Sequence, residues 1–381
     1  MAVYNRFRTN AYQVKYIISA IPPSMEYVAG TILTLEGFVE GYVGFEDGVI
    51  VEVERGQPPS CIAKGIVTPT LINTHTHVAD LRIPVDLSLS LEELVAPPDG
   101  LKHRMLRSMS SKDLCDTFRE ASELMFQRGV SAFADFRESG IDGSRLLCQG
   151  EWGGAHPVVM GRPSELRFDR EEMDTLLSLV DGVGISSISD WDYPELMDVA
   201  DITHHRGKMF ALHASERIHE DIDLILDLKP DYLVHMTMAT DSDLEACADR
   251  GVPVVVCPRS NLFFGREPPL ARMLDAGITI ALGTDNAMIS LPDVLTEMEF
   301  AGRILRQQGH GRVDPVLRMV IENGRKILKL NEPIGIQPGS PCDLLVIGPR
   351  RGEAVTDLVL RSASANPLLV IKGNKTRREP R

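Results

Sequence analysis

Eight short apolar runs, alternating with stretches of helical periodicity, constrain this chain more than any other feature. The runs cover 65–72, 129–136, 156–161, 182–189, 208–214, 231–236, 252–258 and 278–285. Apolar runs this short, bounded by turn residues, read as strands buried on both faces. Between them, 111–129, 170–180, 193–207, 218–228, 242–251 and 270–277 place apolar residues at helical spacing, and several end in glycine, a usual helix stop. Eight strand-then-helix units over roughly 250 residues are what a (β/α)8 barrel requires. The barrel is expected at 64–332. Outside it, 30–37, 40–48 and 49–56 alternate apolar and polar residues between glycines, and 342–348, 356–363 and 367–374 share that texture. Both ends, 1–63 and 333–381, are therefore expected to build one small β-sandwich, with the basic tail KTRREPR frayed.

In such a barrel the chemistry sits at the C-terminal strand ends. His75-Thr76-His77 closes the first run, and residues i and i+2 of a strand point to one face. Two imidazoles projecting together are the first half of a metal site. His213 and Glu216, then His235, then Asp285 in LGTDNAM each follow an apolar run of their own. The alternatives are ordinary ones: hydrogen-bonded core histidines, a solvated loop glutamate, and a helix cap at Asp285. Agreement of several independent placements favours the functional reading. His103, His156, His204, His205, His219 and His310 lack strand-end placement and are expected at the surface or in structural roles.

Composition excludes some classes. A net charge of −14 argues against a phosphate-backbone binder, so no nucleic-acid partner is expected. The six cysteines form no CxxC pair, which fits neither a zinc ribbon nor a disulfide framework. YIISAIPP (16–23) is too short for a secretory core, and no window approaches a membrane span. A cytoplasmic protein with no membrane partner is expected.

With TPTLINTHTH, LHASE, LVHM, CPRSN (257–261), LGTDNAM and IQPGSPCDLLVIG in this order, the chain resembles the amidohydrolase superfamily, in its cytosine deaminase, guanine deaminase and chlorohydrolase-like branch. The resemblance implies a metal-dependent barrel beside a β-sandwich made from both chain ends. It implies His75, His77, His213 and Asp285 as ligands of one divalent ion, usually zinc and sometimes iron. Dinuclear relatives carry a bridging lysine near the end of strand four; the run at 182–189 offers none, so one ion per chain is expected. Three neutral histidines and a carboxylate leave a position for water, whose pKa the metal lowers towards about 7. Asp285 would then accept a proton, Glu216 would protonate a ring nitrogen, and His235 would hold the nucleophile or the developing oxyanion. A His-x-x-Glu pair suits a cyclic amidine, whose C=N nitrogen needs a proton, and so favours deamination. The unrelated zinc deaminases with an H-x-E and P-C-x-x-C signature are excluded.

Candidate substrate contacts are Arg137 and Arg162, after strands two and three, Trp191 after strand four, and Asn261 in CPRSN. Each arginine could instead pair with a neighbouring acid such as Glu138. Met236 and Met238 could wall a pocket or simply pack. Phe263-Phe264-Gly265 reads as a lid. The stretch after the HxH strand is short and without aromatic residues, unlike the tryptophan-bearing insertion of better-known relatives, so the substrate cannot be carried over from them. The expectation is a hydrolytic deaminase of an aminated heterocycle, a purine, pterin or related ring, with water as co-substrate. Alternatives are an amide or chlorinated triazine-like substrate, or a non-catalytic metal-binding scaffold. The family resemblance implies a homo-oligomer.

Overall fold

The computed structural model describes residues 25–95, 99–150, 152–331, 334–348 and 352–378. The apolar run at 16–23 and the last three residues of the basic tail lie outside the described residues.

Seven strands from both ends of the chain form one sheet. They are β1 (Glu26–Thr34), β2 (Gly37–Glu46), β3 (Val49–Glu54), β4 (Ala63–Pro69), β14 (Asp343–Ile347), β15 (Pro367–Lys372) and β16 (Lys375–Arg378). Their order is β16-β15-β14-β4-β1-β2-β3. The sheet curls until β3 meets the segment entering β14, where Ile50 N–H donates to Ser340 O at 2.8 Å. The expected sandwich is thus a single sheet folded about one core, filled by Val28, Ile32, Val43, Phe45, Val67, Leu344 and Val346. The period-2 alternation of β14 sends Leu345 and Ile347 the other way, into the barrel's outer core.

At Thr70 the chain leaves this sheet for the barrel. The run at 65–72 is therefore divided between two sheets, and the histidine pair belongs to β5 (Leu71–His77). Arg325, 2% exposed, fixes the crossing by donating to Thr70 O at 2.9 Å. The barrel strands are β5, β6 (Val130–Arg137), β7 (His156–Gly161), β8 (Gly182–Ile185), β9 (Met209–Ala214), β10 (Tyr232–His235), β11 (Val254–Val256) and a last passage, β12 (Ile280–Leu282) with β13 (Asp285–Asn286). All neighbours are parallel. β12 pairs with β11 and β13 with β5, so the eighth passage closes the ring. Gly283 stands at that closure, where a Cβ would lie 2.7 Å from the Cβ of His75, so no larger residue fits without displacing the strands. Inside, alternate residues such as Ala132, Ala134, Phe136, Met160, Tyr232 and Val255 fill the barrel.

Helices cover the outside. After β5 come α1 (Leu91–Val95), α2 (Leu101–Ser108) and α3 (Ser111–Gln127); α4 (Gly140–Cys148) follows β6, and α5 (Arg170–Leu179) follows β7. Then come α6 (Tyr193–His205), α7 (Ile222–Asp227), α8 (Asp241–Asp249), α9 (Pro258–Phe263), α10 (Leu270–Asp275) and α11 (Val294–Gln307). The last barrel segment is α12 (Asp314–Arg318) and α13 (Gly324–Ile327), joined by a π-helical turn at Met319–Asn323. One expectation fails: the run at 356–363 is not a strand but lies largely in α14 (Ala354–Arg361), packed on α11. Its Val355, Leu358 and Val359 fall at helical spacing, and Arg361 closes an i,i+4 pair with Asp357 at 2.9 Å.

Candidate metal and catalytic centre

His75 and His77 project from the end of β5, His213 from β9, His235 from the last position of β10, and Asp285 from β13. Glu216 stands two residues beyond β9. The barrel thus brings together the four histidines, Glu216 and Asp285 singled out in the sequence. One ligand atom each of His75, His213, His235 and Asp285 lie within 4.8 Å of one another. His77 Nε2 joins them, 3.4 Å from His213 Nε2 and 3.6 Å from Asp285 Oδ1. His75 Nε2 is 3.3 Å from the same oxygen.

Local backbone places these groups. The Asn73 amide clamps the last barrel strand, giving a hydrogen to Thr284 Oγ1 at 2.8 Å and accepting one from Thr284 N–H at 3.0 Å. Asp285, next in the chain, takes φ +56°, while His235 and Met236 take +77° and +55°. Left-handed backbone at non-glycine residues is unfavourable and is held here by the surrounding ladder, a pattern concentrated at functional sites. Ser260, on α9, donates to Asp285 Oδ2 at 2.5 Å and leaves Oδ1 facing the histidines.

The ring nitrogens fit a cation. His213 Nδ1 faces the Ile185 carbonyl at 2.9 Å, and His77 Nδ1 faces Glu138 Oε1 at 2.9 Å and the Phe136 carbonyl at 3.2 Å. With only acceptors there, Nδ1 carries the hydrogen in both rings, and two Nε2 lone pairs point at each other across 3.4 Å. Neither nitrogen of buried His75 makes a well-aligned hydrogen bond among the described residues, although Asp285 Oδ1 lies 3.3 Å from Nε2. Burial lowers all three pKa values, that of His77 to about 3, so the rings stay neutral as ligation demands. Converging lone pairs beside a carboxylate suit one divalent ion.

His235 differs. Its Nδ1 lies 3.0 Å from the Asn261 amide nitrogen, which can only donate, so Nε2 carries the hydrogen, 3.6 Å from Glu216 Oε1. Burial raises the pKa of Glu216, against the pull of His235.

Behind His77 runs a buried ion network. Lys102 Nζ, on α2, lies 2.6 Å from Glu138 Oε1 and 2.9 Å from Asp80 Oδ2; Arg137 lies 2.5 Å from Glu138 Oε2 and 3.2 Å from Asp135 Oδ2. Burial opposes ionisation of Glu138, but Lys102, His77 and Arg137 outweigh it and hold the carboxyl well below its usual range. Sequence reasoning missed Lys102, which by sequence is an unremarkable polar residue in the stretch after the histidine pair.

The four suggested substrate contacts separate. Arg162 lines the pocket over the cluster, with Lys102, His77, Glu216 and Phe264. Asn261 is engaged with His235. Arg137 is committed to Asp135 and Glu138. Trp191 packs in the outer core with its indole N–H on Ser186 Oγ at 3.3 Å. Phe263 is 42% exposed, while Phe264 faces the pocket.

Fold and cluster together define a class: a closed parallel barrel with histidines and an aspartate converging at its C-terminal strand ends, beside a sheet shared by both termini. Residues 66–376 match the amidohydrolase family, and the chain belongs to that family. A putative aminohydrolase of Methanothermobacter thermautotrophicus is 31% identical over 361 residues, covering 87% of this chain and 93% of its own. A 5-methylthioadenosine/S-adenosylhomocysteine deaminase of Haloarcula marismortui is 26% identical over 335 residues, 74% of this chain and 73% of its own. Among solved structures, an adenosine deaminase from Xanthomonas campestris with bound zinc shares the fold at TM-score 0.75 and 18% identity, over 94% of this chain and 93% of that one. No helix among the described residues is long and apolar enough to cross a membrane.

Proposed function

We propose that this protein is a hydrolytic deaminase of an aminated heterocycle, a purine, pterin or related cyclic amidine. His75, His77, His213 and Asp285 hold one divalent ion, zinc in the first instance and iron as the alternative. The observation that carries the reading is the pairing of two functions in one buried space: lone pairs converging on a cation position, and a carboxyl with raised pKa at Glu216 beside the His235 Nε2–H. The amidohydrolase family and the relatives bearing aminohydrolase and deaminase names support it.

When bound, such an ion supplies a Lewis acid that makes water acidic near neutral pH. The remaining roles belong to the chain. Asp285, steadied by Ser260, accepts the proton released by the attacking water. Glu216 delivers a proton to the ring nitrogen beside the carbon under attack, so that charge does not build there, and regains one from the newly attached hydroxyl as the carbonyl forms; the proton held by Asp285 passes to the departing amine, which leaves as ammonia. His235 donates from Nε2 to the oxygen that becomes the product carbonyl, its tautomer set by Asn261. A cytoplasmic setting is proposed with it, supported by six cysteines that are all unpaired, as is the homo-oligomer that the family resemblance implies.

The test is ammonia release by the zinc-loaded protein from purines, pterins, pyrimidines and triazines. Turnover that Glu216→Ala lowers at least about a hundred-fold, with zinc retained, is the expected result. Release of chloride or of a substituted amine without ammonia would overturn deamination in favour of the halide or amide chemistry of the same scaffold.

A further inference from the structure

The roles assigned above leave one charge in the pocket unaccounted for. Arg162 follows β7 and is 6% exposed, yet its side chain makes a single hydrogen bond among the described residues, and a long one, Nε–H to Gly184 O at 3.4 Å. It has no ion-pair partner there. The other cations on the wall are matched: Lys102 by Asp80 and Glu138, and Arg217 by Asp190 at 2.7 Å. Glu138, Asp190 and Asp80 are the carboxylates whose fields reach Arg162, and all three are engaged elsewhere, Asp80 with Lys102. Glu138 gives one oxygen to Lys102 and His77 and the other to Arg137; Asp190 holds Arg217.

A guanidinium stays ionised even where burial lowers its pKa, as it does here. An ionised group withdrawn from water without a counter-charge is unfavourable unless a partner arrives. The two terminal nitrogens of an arginine match the two oxygens of a carboxylate or phosphate. Arg162 also lines a neighbouring cleft with His103, Leu106 and Leu166, so it stands where a substituent of a ring held at the metal cluster would pass.

We infer that Arg162 is an oxyanion clamp, and that the ring deaminated in this pocket carries a carboxylate or phosphate group. The inference rests on the deaminase reading of the cluster and narrows its substrate class.

The experiment uses matched probes on the zinc-loaded protein: pterin against pterin-6-carboxylate, and adenosine against adenosine 5′-monophosphate. Ammonia release gives kcat and KM, and calorimetry gives Kd. In at least one pair the anionic member is expected to bind more tightly, and the pair that responds separates carboxylate from phosphate. Arg162→Met should raise KM and Kd for that anionic member about ten- to hundred-fold more than for its neutral partner. Arg162→Lys, which keeps the charge but loses the planar pair of donors, should recover part of the difference. Equal binding of neutral and anionic members in both pairs by the unmodified protein overturns the clamp, as does an equal loss on both in Arg162→Met. If no probe releases ammonia, the deaminase reading falls, while the Kd comparison still decides the clamp.

Discussion

His77 is loaded on both ring nitrogens, by Glu138 and a carbonyl at Nδ1 and by His213 and Asp285 at Nε2. Burial removes hydration from the imidazolium faster than Glu138 replaces it, so the folded pKa falls to about 3 from an ordinary 6.5. A basic group depressed by folding is protonated first in the unfolded chain. Its contribution to stability is whole above pH 6.5 and is lost as pH falls towards 3, at about 1.4 kcal/mol per pH unit. His75 and His213 shift in the same direction. The urea midpoint of the metal-free protein should therefore fall steadily below pH 6.5. His77→Gln should remove about one proton from that slope; an unaltered slope would mean the folded protein protonates this ring. In the proposed mechanism Glu216 acts on the substrate instead, so Glu216→Ala should lower kcat about 10²- to 10⁴-fold, leaving zinc content and Tm as they were. Unchanged turnover would remove its assigned role.

At the scale of elements, α2 is tied to the candidate ligand set. Its Lys102, 3% exposed, bridges Asp80 and Glu138, and Glu138 holds His77. Lys102→Met would strand buried Asp80, which burial already pushes up to about 7, and leave Glu138 with Arg137 as its remaining cation, at an expected loss of about 3–5 kcal/mol. Zinc affinity should fall about ten- to hundred-fold, as when other partners of metal-bound histidines are removed. A chelator titration checks this, and undiminished affinity would detach α2 from the site. The same elements mark how far sequence carries. The barrel strands are legible because each is a short apolar run closed by punctuation, and the site follows because strand ends converge. The helix α14 is hidden because eight residues with apolar pairs satisfy both the strand and the helix period, and packing on α11 decides. Lys102 is hidden because its partners lie on other elements. Trp191 misleads for a similar reason: a strand-end aromatic looks like a stacking platform, but its ring lies in the outer core.

Across the whole molecule, the terminal sheet and the barrel share one strand passage and two cores. β4 lies between β1 and β14 in the sheet, and one residue later the chain is β5, the strand that carries His75 and His77. Side chains of β14 alternate between the cores, Leu344 and Val346 into the sheet, Leu345 and Ile347 into the barrel wall. Arg128, at the end of α3, holds the C-terminal segment by donating to Ala363 O at 2.8 Å and Ala365 O at 2.7 Å. A chain ended after Gly339 would lose Leu344, Leu345, Val346, Ile347, Leu358, Val359, Leu369, Val370 and Ile371 from these cores. At about 1.5–3 kcal/mol for each buried side chain, that loss matches or exceeds the roughly 5–15 kcal/mol by which domains are stable. It would also leave one edge of β4 unpaired, directly before the candidate ligand strand. Such a chain should show no cooperative melt and no stoichiometric zinc. A chain ended after Gly373 loses only β16, an edge strand with no buried side chain, and should melt cooperatively at a slightly lower Tm. A cooperative, zinc-binding barrel from the shorter chain would make the sheet an appendage; the contrasting pair of melts would make it part of the scaffold that sets the metal site.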